Sequence, residues 1–156
     1  MTEPYLEASQ KGVKYGFVLD DNPARQLEVS KLLEDMGYRS LTASSLEEAL
    51  HKIPDSVEVI VSDLDLSNGN FLSGMQFDGY RFLKNIRKKQ EEGNYPNLKE
   101  VILYSTFFNR WSVGNLIYPV KTGIRKRVEG MGYHVVPKEK GPDGLAEILK
   151  NSQEIM

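Results

Sequence analysis

Residues 59–66 read V-I-V-S-D-L-D-L, and this stretch decides how the rest of the chain is interpreted. Four residues that suit a buried strand lead into Asp63, and Asp65 follows two positions later. A short apolar run that ends at turn residues is typical of a strand covered on both faces of a parallel sheet. Acids at the carboxyl end of such a strand lie where open α/β sheets bind ligands. Taken alone, the D-x-D pattern fits a loop acid that caps a turn equally well.

Composition restricts the chain to one folded domain without covalent cross-links. It has 156 residues, of which 40% are hydrophobic and 27% charged, so it suits a single core. No apolar run approaches the ~20 residues of a membrane-spanning helix, and the N-terminus lacks a secretory pattern. The absence of cysteine excludes disulfides and fits a reducing compartment, so we expect a cytoplasmic protein without membrane contact. A net charge of −2 and two isolated histidines favour neither nucleic-acid binding nor a zinc site.

Strand and helix patterns alternate along the whole chain. Further strands are predicted at 13–19, 38–43, 101–104 and 133–136. Helices are predicted after Pro23, at 46–53, from Tyr80 to Ile86, at 111–118 and 123–131 on either side of Pro119, and at 145–150. This alternation predicts a parallel sheet with helices on both faces, either flavodoxin-like or Rossmann-like. Neither G-x-G-x-x-G nor the P-loop pattern occurs, which argues against dinucleotide and P-loop sites.

Polar residues follow four of the predicted strands. They are Asp20 with Asp21, Asp63, Ser105 or Thr106, and Lys138. The carboxyl ends of parallel strands share one edge of the sheet, so we expect these side chains to converge. Crowded carboxylates raise one another's pKa, and Mg²⁺, which prefers oxygen ligands, relieves the repulsion. A lysine and a hydroxyl could then hold phosphoryl oxygens, which makes Asp63 a plausible phosphoryl acceptor.

Each of these residues also has an ordinary structural interpretation. Asp20 and Asp21 could cap the following helix, and a hydroxyl at a strand end commonly satisfies backbone groups. A single lysine is most often solvated, and short basic runs such as 87–89 and 125–127 usually mark solvated helix faces. The prediction of a site therefore depends on all four strand ends together.

In this order, the motifs resemble those of response-regulator receiver domains. V-L-D-D-N-P resembles the acidic turn after the family's first strand, and V-I-V-S-D-L-D-L resembles its third strand. G-M-Q-F-D-G-Y-R-F-L-K-N-I-R resembles the segment with the family's M-P-x-M-D-G pattern, and V-I-L-Y-S-T and V-V-P-K resemble its last two strand ends. The resemblance covers residues 13–151, with 1–12 as an N-terminal arm and 152–156 as a C-terminal tail. It implies a doubly wound, flavodoxin-like α/β fold with five parallel strands in the order 2-1-3-4-5.

The resemblance also implies the chemistry of the site. Asp63 corresponds to the phosphoacceptor, and Asp20 and Asp21 correspond to the acids that bind Mg²⁺ beside it. Asp65 falls where the family contributes a backbone carbonyl to the metal. Such a protein receives a phosphoryl group and signals by contact, so it is not expected to be an enzyme with turnover of its own.

The remaining site residues and the partners follow from the same resemblance. Ser105 falls at the switch hydroxyl, with Thr106 next to it, and Lys138 falls at the phosphate-binding lysine. The implied donor is a sensor histidine kinase or a phosphotransfer protein, and the implied output is contact with a downstream protein, not with nucleic acid. The residues after Lys138 suffice for one helix and a tail, so we expect no attached output domain, and a monomer or weak homodimer.

Three features depart from the family's usual pattern. The loop between Asp63 and Asp78 is longer than usual, and so is the stretch between Ser105 and Lys138. Pro137 precedes Lys138, whereas the family commonly has proline after the lysine. The family's aromatic switch position falls on or near Val135.

Two other functions fit parts of the pattern. A receiver-like interaction module that is never phosphorylated would explain the departures from the family. A haloacid-dehalogenase-like phosphatase would explain D-L-D-L as a nucleophile and acid/base pair, with a hydroxyl and Lys138 as later motifs. That family places its acidic metal pair after the lysine, whereas here Asp20 and Asp21 come first.

Overall fold

The computed structural model describes residues 12–64, 78–105, 118–138 and 141–154, and the side chains of these residues except 118–123 and 152–154. Strands and helices alternate throughout these ranges. In chain order they are β1 Tyr15–Leu19, α1 Pro23–Asp35, β2 Arg39–Ala43, α2 Leu46–Lys52, β3 Val57–Ser62, α3 Asp78–Glu91, β4 Glu100–Ser105, α4 Tyr118–Gly130, β5 His134–Pro137 and α5 Gly141–Glu154.

The five strands form one parallel sheet in the order β2-β1-β3-β4-β5. The chain starts in the middle of the sheet, moves to one edge, and returns past β1 to build the other half. This is the flavodoxin-like order, so the predicted fold class is confirmed. The strand order reverses between β1 and β3, the point at which open α/β sheets bind ligands at the carboxyl ends of their strands.

Both faces of the sheet are buried under helices. One cluster of buried apolar side chains joins the sheet to α2, α3 and α4, and we call this side the α2–α4 face. A second cluster joins the sheet to α1 and α5, and we call this side the α1–α5 face. Because successive residues of a strand point to opposite faces, β1, β3, β4 and β5 each contribute to both clusters. Leu103 lies on the α2–α4 face, for example, whereas Ile102 and Tyr104 lie on the α1–α5 face.

Helix caps follow the predicted chemistry with one correction. The Asn22 side chain accepts hydrogen bonds from the amides of Ala24 and Arg25 and thereby caps α1. The alternative in which Asp20 and Asp21 cap this helix is therefore wrong. Ser45 caps α2 by accepting a hydrogen bond from the Glu48 amide, and Gly37 follows α1 with a φ of 94°.

Several predicted boundaries differ from the structure. The strand before Asp63 begins at Val57 and ends at Ser62, so Asp63 lies just beyond it. Pro119 does not separate two helices but lies in the first turn of α4, where a missing amide hydrogen breaks no helical hydrogen bond.

The two ends of the fold also differ from the prediction. The first strand begins at Tyr15, two residues later than predicted. The last helix extends at both ends, to Gly141–Glu154, and continues into the predicted tail. The predicted helix at 111–118 lies outside the described residues except for Tyr118, and so does the N-terminal arm except for residue 12. Within the described ranges, each helix is too short or too polar to cross a membrane.

Candidate functional site

Three aspartates meet at the carboxyl ends of β1 and β3. Leu19 of β1 pairs with Ser62 of β3, so the next residues, Asp20 and Asp63, lie side by side. The backbone amide of Asp63 donates to the carbonyl of Leu19 over 2.8 Å, which extends the sheet to the site. Asp20 and Asp63 are buried and Asp21 is half-buried, and one carboxylate oxygen from each lies within 4.8 Å of the other two. The predicted convergence of these acids is present.

Lys138 supplies the positive charge at this cluster. Its Nζ lies 3.0 Å from Asp20 Oδ2 and 3.6 Å from Asp63 Oδ1. Only 6% of the lysine side chain is exposed, so this residue is not an ordinary solvated lysine. The same Nζ lies 5.5 Å from the centre of the Tyr104 ring.

Neighbouring groups shift the pKa of the Asp63 carboxyl group in opposite directions. The pKa of Asp63 is raised to about 6, chiefly by burial and also by the neighbouring charge of Asp20. The Lys138 ammonium and hydrogen bonds from the Leu64 amide and the Ser105 side chain act in the opposite direction. Ser105 is buried at the end of β4, and its hydroxyl reaches Asp63, the acid near which the sequence predicted it to lie. Asp63 is thus ionised at neutral pH but is held at a substantial electrostatic cost.

Asp20 is fixed by its own strand-to-helix turn and by a residue that sequence reasoning missed. Its Oδ1 accepts from the amide of Asn22 over 2.9 Å. The side-chain Nε2 of Gln26 lies 2.6 Å from the Asp20 carbonyl oxygen and 3.0 Å from both the Ala43 carbonyl oxygen and Ser44 Oγ. Gln26 therefore ties the ends of β1 and β2 to α1. A signal existed in the sequence, because a glutamine one helical turn after the N-cap faces the preceding strand end.

Gly79 brings helix α3 against the site. Its amide donates to the Leu64 carbonyl over 2.8 Å, and a Cβ built on it would lie 1.7 Å from the Asp63 carbonyl oxygen. No side chain fits in that space, so glycine is required. The sequence matched Asp78-Gly79 to a family motif but gave no reason for the glycine. The reason is the close approach of two backbones.

The other predicted site residues are only partly described. Asp65 and Thr106 lie outside the described residues, so their roles remain predictions. Val135 occupies the predicted aromatic position and packs in the core of the α2–α4 face. His134 Nε2 lies 2.9 Å from Glu100 Oε1.

The donor set suits a divalent cation of the magnesium type. Three carboxylates offer hard oxygen atoms from three residues within a small volume, and the pKa of one of them is raised. Mg²⁺ takes such oxygen ligands together with water molecules. Among the described residues, no histidine takes part in this cluster, which further argues against zinc.

Solved structures with a similar fold include receiver domains and response regulators. The BeF3-activated DrrB receiver domain aligns with a TM-score of 0.61 and 21% identity, over 91% of this chain and 98% of its own. The chemotaxis response regulator CheY4 of Vibrio cholerae aligns with a TM-score of 0.60 and 22% identity, over 90% and 98%. Response regulator TrrA from Thermotoga maritima, in complex with Mg(2+)-BeF, aligns with a TM-score of 0.57 and 21% identity, over 90% and 99%.

Sequence comparison adds no closer relative. No protein-family model matches the chain, and no curated protein sequence matches it. The chain thus has the fold of response-regulator receiver domains at an identity that shows the fold alone.

Proposed function

We propose that the chain is a phosphoacceptor response regulator that is phosphorylated on Asp63 and signals by protein contact. The observation that carries this proposal is the buried Asp63 carboxyl, placed beside two further acids and within 3.6 Å of the Lys138 ammonium. A surface acid would need none of these neighbours. An acid prepared to carry a phosphoryl group needs a cation on one side and donors for the phosphoryl oxygens on the other.

In the proposed reaction, a carboxylate oxygen of Asp63 attacks phosphorus on a phosphohistidine donor. The new P–O bond forms as the P–N bond breaks, and the electron pair of that bond stays with the donor imidazole. The donor would be a sensor histidine kinase or a phosphotransfer protein. The chain therefore takes part in one transfer and has no turnover of its own beyond loss of the group to water.

Different residues of the chain would hold the metal, the Asp63 carboxylate and the phosphoryl oxygens. The carboxylates of Asp20, Asp21 and Asp63, with the Asp65 carbonyl, would hold Mg²⁺, which when bound supplies positive charge against the phosphoryl oxygens. The Leu64 amide fixes the Asp63 carboxylate. Lys138 and Ser105, or Thr106, would hold phosphoryl oxygens, since Lys138 and Ser105 already reach Asp63.

Output would follow from small movements of the β4 and β5 ends. Ser105 ends β4 and Lys138 follows β5, so both would adjust when their partner changes from a carboxylate to a phosphoryl group. Such an adjustment biases the chain between two packed states. We propose that a downstream protein binds one of these states, in the cytoplasm and without nucleic acid.

A second candidate is an interaction module that is never phosphorylated. One observation favours it: Lys138 already lies 3.0 Å from Asp20 and so supplies a positive charge to the acids without any metal. The phosphatase alternative gains no such support, because the clustered acids follow β1 and β3 and precede the lysine in the chain.

Intact-protein mass spectrometry after incubation with Mg²⁺ and acetyl phosphate tests the proposal. We expect wild type to gain the mass of one phosphoryl group, and we expect Asp63→Asn and metal-free wild type to gain none. Asp35→Asn, which changes an exposed acid of α1, is the matched control and should behave as wild type. A wild-type chain that binds Mg²⁺ but gains no mass would contradict the proposal and favour the interaction module.

A further inference from the structure

Tyr104 lies in the same row of the sheet as the two buried acids. Leu19, Ser62 and Leu103 are neighbours across β1, β3 and β4, and the residues after them are Asp20, Asp63 and Tyr104. Side chains alternate along a strand, so these three point to the same face of the sheet, the α1–α5 face. Tyr104 belongs to the buried cluster of that face. It is thus next to Asp63 in the sheet.

The ring of Tyr104 contacts Lys138 from the neighbouring strand end. Tyr104 pairs with Val136 in β5, and Lys138 follows two residues later on the same face. Its Nζ lies 5.5 Å from the ring centre, within the range in which an ammonium is attracted to an aromatic face. Both side chains are almost fully buried, which strengthens the attraction.

Three groups therefore determine where the ammonium sits. Asp20 and Asp63 are acids that draw the lysine towards the candidate metal ligands, at 3.0 and 3.6 Å. The Tyr104 ring carries no formal charge, so its contact with the ammonium persists when a metal or a phosphoryl group changes the charge of the acids. The charged groups that act on Tyr104 itself are Glu28 and Arg25 of α1, and Asp20.

In the described part of the chain, the residue at the family's aromatic switch position does not contact Lys138. Val135 occupies it and points into the α2–α4 face, away from Lys138. Tyr133 precedes β5, at the opposite end of the strand from Lys138, where its hydroxyl donates to Gln90. Tyr104 is accordingly the aromatic residue whose ring is found against the lysine.

We propose that Tyr104 is a positioning residue that holds the Lys138 ammonium where it can meet an incoming phosphoryl group, and thereby sets the rate of transfer to Asp63. The kinetic part rests on the proposed function above. Tyr104 touches no reacting atom in this scheme and forms no covalent bond. Without the ring, only Asp20 and Asp63 position the ammonium, and it is slower to reach the phosphoryl oxygens.

The kinetic test compares Tyr104→Leu with Tyr104→Phe in the full chain. The measured quantity is the rate of adduct formation on Asp63 from acetyl phosphate at saturating Mg²⁺. A ring contact of this kind predicts a rate lower by roughly three- to thirtyfold in the leucine variant, since cation–ring attraction spans that range. The phenylalanine variant keeps the ring and should stay within about twofold of wild type.

A matched control separates positioning from simple loss of core packing. Tyr38 belongs to the same buried cluster but precedes β2, at the end of the sheet away from Lys138. Tyr38→Leu should lower thermal stability about as much as Tyr104→Leu while leaving the rate unchanged. Equal rates for Tyr104→Leu and wild type, a slow phenylalanine variant, or a rate loss shared by Tyr38→Leu would each overturn the proposal.

A second measurement does not depend on phosphorylation. In protein labelled with ¹³C-lysine, the Lys138 ε-methylene protons should resonate upfield because the Tyr104 ring lies beside them, and Lys138→Met assigns the signal. We expect this shift to persist in Tyr104→Phe and to vanish in Tyr104→Leu. Absence of the shift in wild type overturns the contact itself. A shifted signal in a wild-type chain that forms no adduct contradicts the proposed function and the kinetic role, while the contact stands.

Discussion

At the scale of single residues, the cost of burying the Asp63 charge gives the site a dependence of stability on pH. The pKa of Asp63 is raised from 3.8 to about 6 in the folded chain, mainly by burial. The folded state then binds this proton more tightly than the unfolded state does. The stability contributed by the protonated acid is therefore complete below pH 4 and is lost as the pH rises through about 6.

Because the charged form of Asp63 lowers the stability of the folded chain, we predict that Asp63→Asn stabilises the metal-free protein. At pH 8 we expect a gain in free energy of unfolding on the order of 2 kcal/mol, shrinking to near zero at pH 3.5. Urea denaturation at both pH values, with a metal chelator present, measures it. Glu92→Gln, at an exposed position after α3, serves as the control and should change little. Equal stability of wild type and Asp63→Asn at pH 8 would show that the Asp63 charge costs nothing.

Removal of the Lys138 charge should have the opposite effect on stability. Its ammonium is the cation nearest to the buried acids among the described residues, so Lys138→Met leaves two carboxylates facing each other. We expect a loss of roughly 3 kcal/mol at pH 8 without metal, because a buried charge loses its partner. Added Mg²⁺ should recover most of this loss by binding the folded state. Lys126→Met, on the exposed face of α4, should show neither effect, and a Lys138→Met loss that Mg²⁺ does not repair would contradict the assignment of the acids as metal ligands.

At the scale of secondary-structure elements, helix α3 is placed by its backbone contact with the site. A Cβ at Gly79 would overlap the Asp63 carbonyl oxygen, so Gly79→Ala must push α3 away or move Asp63. We expect thermal denaturation to show a loss of about 3 kcal/mol or more, together with slower adduct formation. Gly130→Ala is the matched control, since a Cβ there meets nothing within 4 Å and glycine is the poorer helix former. A Gly79→Ala variant as stable as wild type would show that α3 can move freely.

Element types were predictable from the sequence more reliably than element ends. The buried strand before Asp63 was recognisable because four consecutive residues suit a strand covered on both faces. Pro119 misled the prediction, because a proline can begin a helix as readily as it separates two helices. The last helix was predicted too short, because Gly141 and Pro142 look like turn residues although a proline also fits a first helical turn.

At the scale of the whole molecule, the convergence of the site was predictable because topology alone brings the strand ends together. Asp20, Asp63, Ser105 and Lys138 are far apart in sequence, yet parallel strands must place their carboxyl ends at one edge. What topology does not give is the register of neighbouring strands and the rotamer of each side chain. The role of Tyr104 depends on both, which explains why the sequence did not reveal it.

The hydrogen bond between Gly79 and Leu64 determines where the chain could accept inserted residues. It brings together, beside Asp63, the two described residues between which residues 65–77 run. Lengthening a loop with fixed ends costs little, since closure entropy grows only with the logarithm of its length. Because Leu64 and Gly79 are joined, a foreign peptide or a small folded tag inserted between them would leave the geometry of the sheet in place.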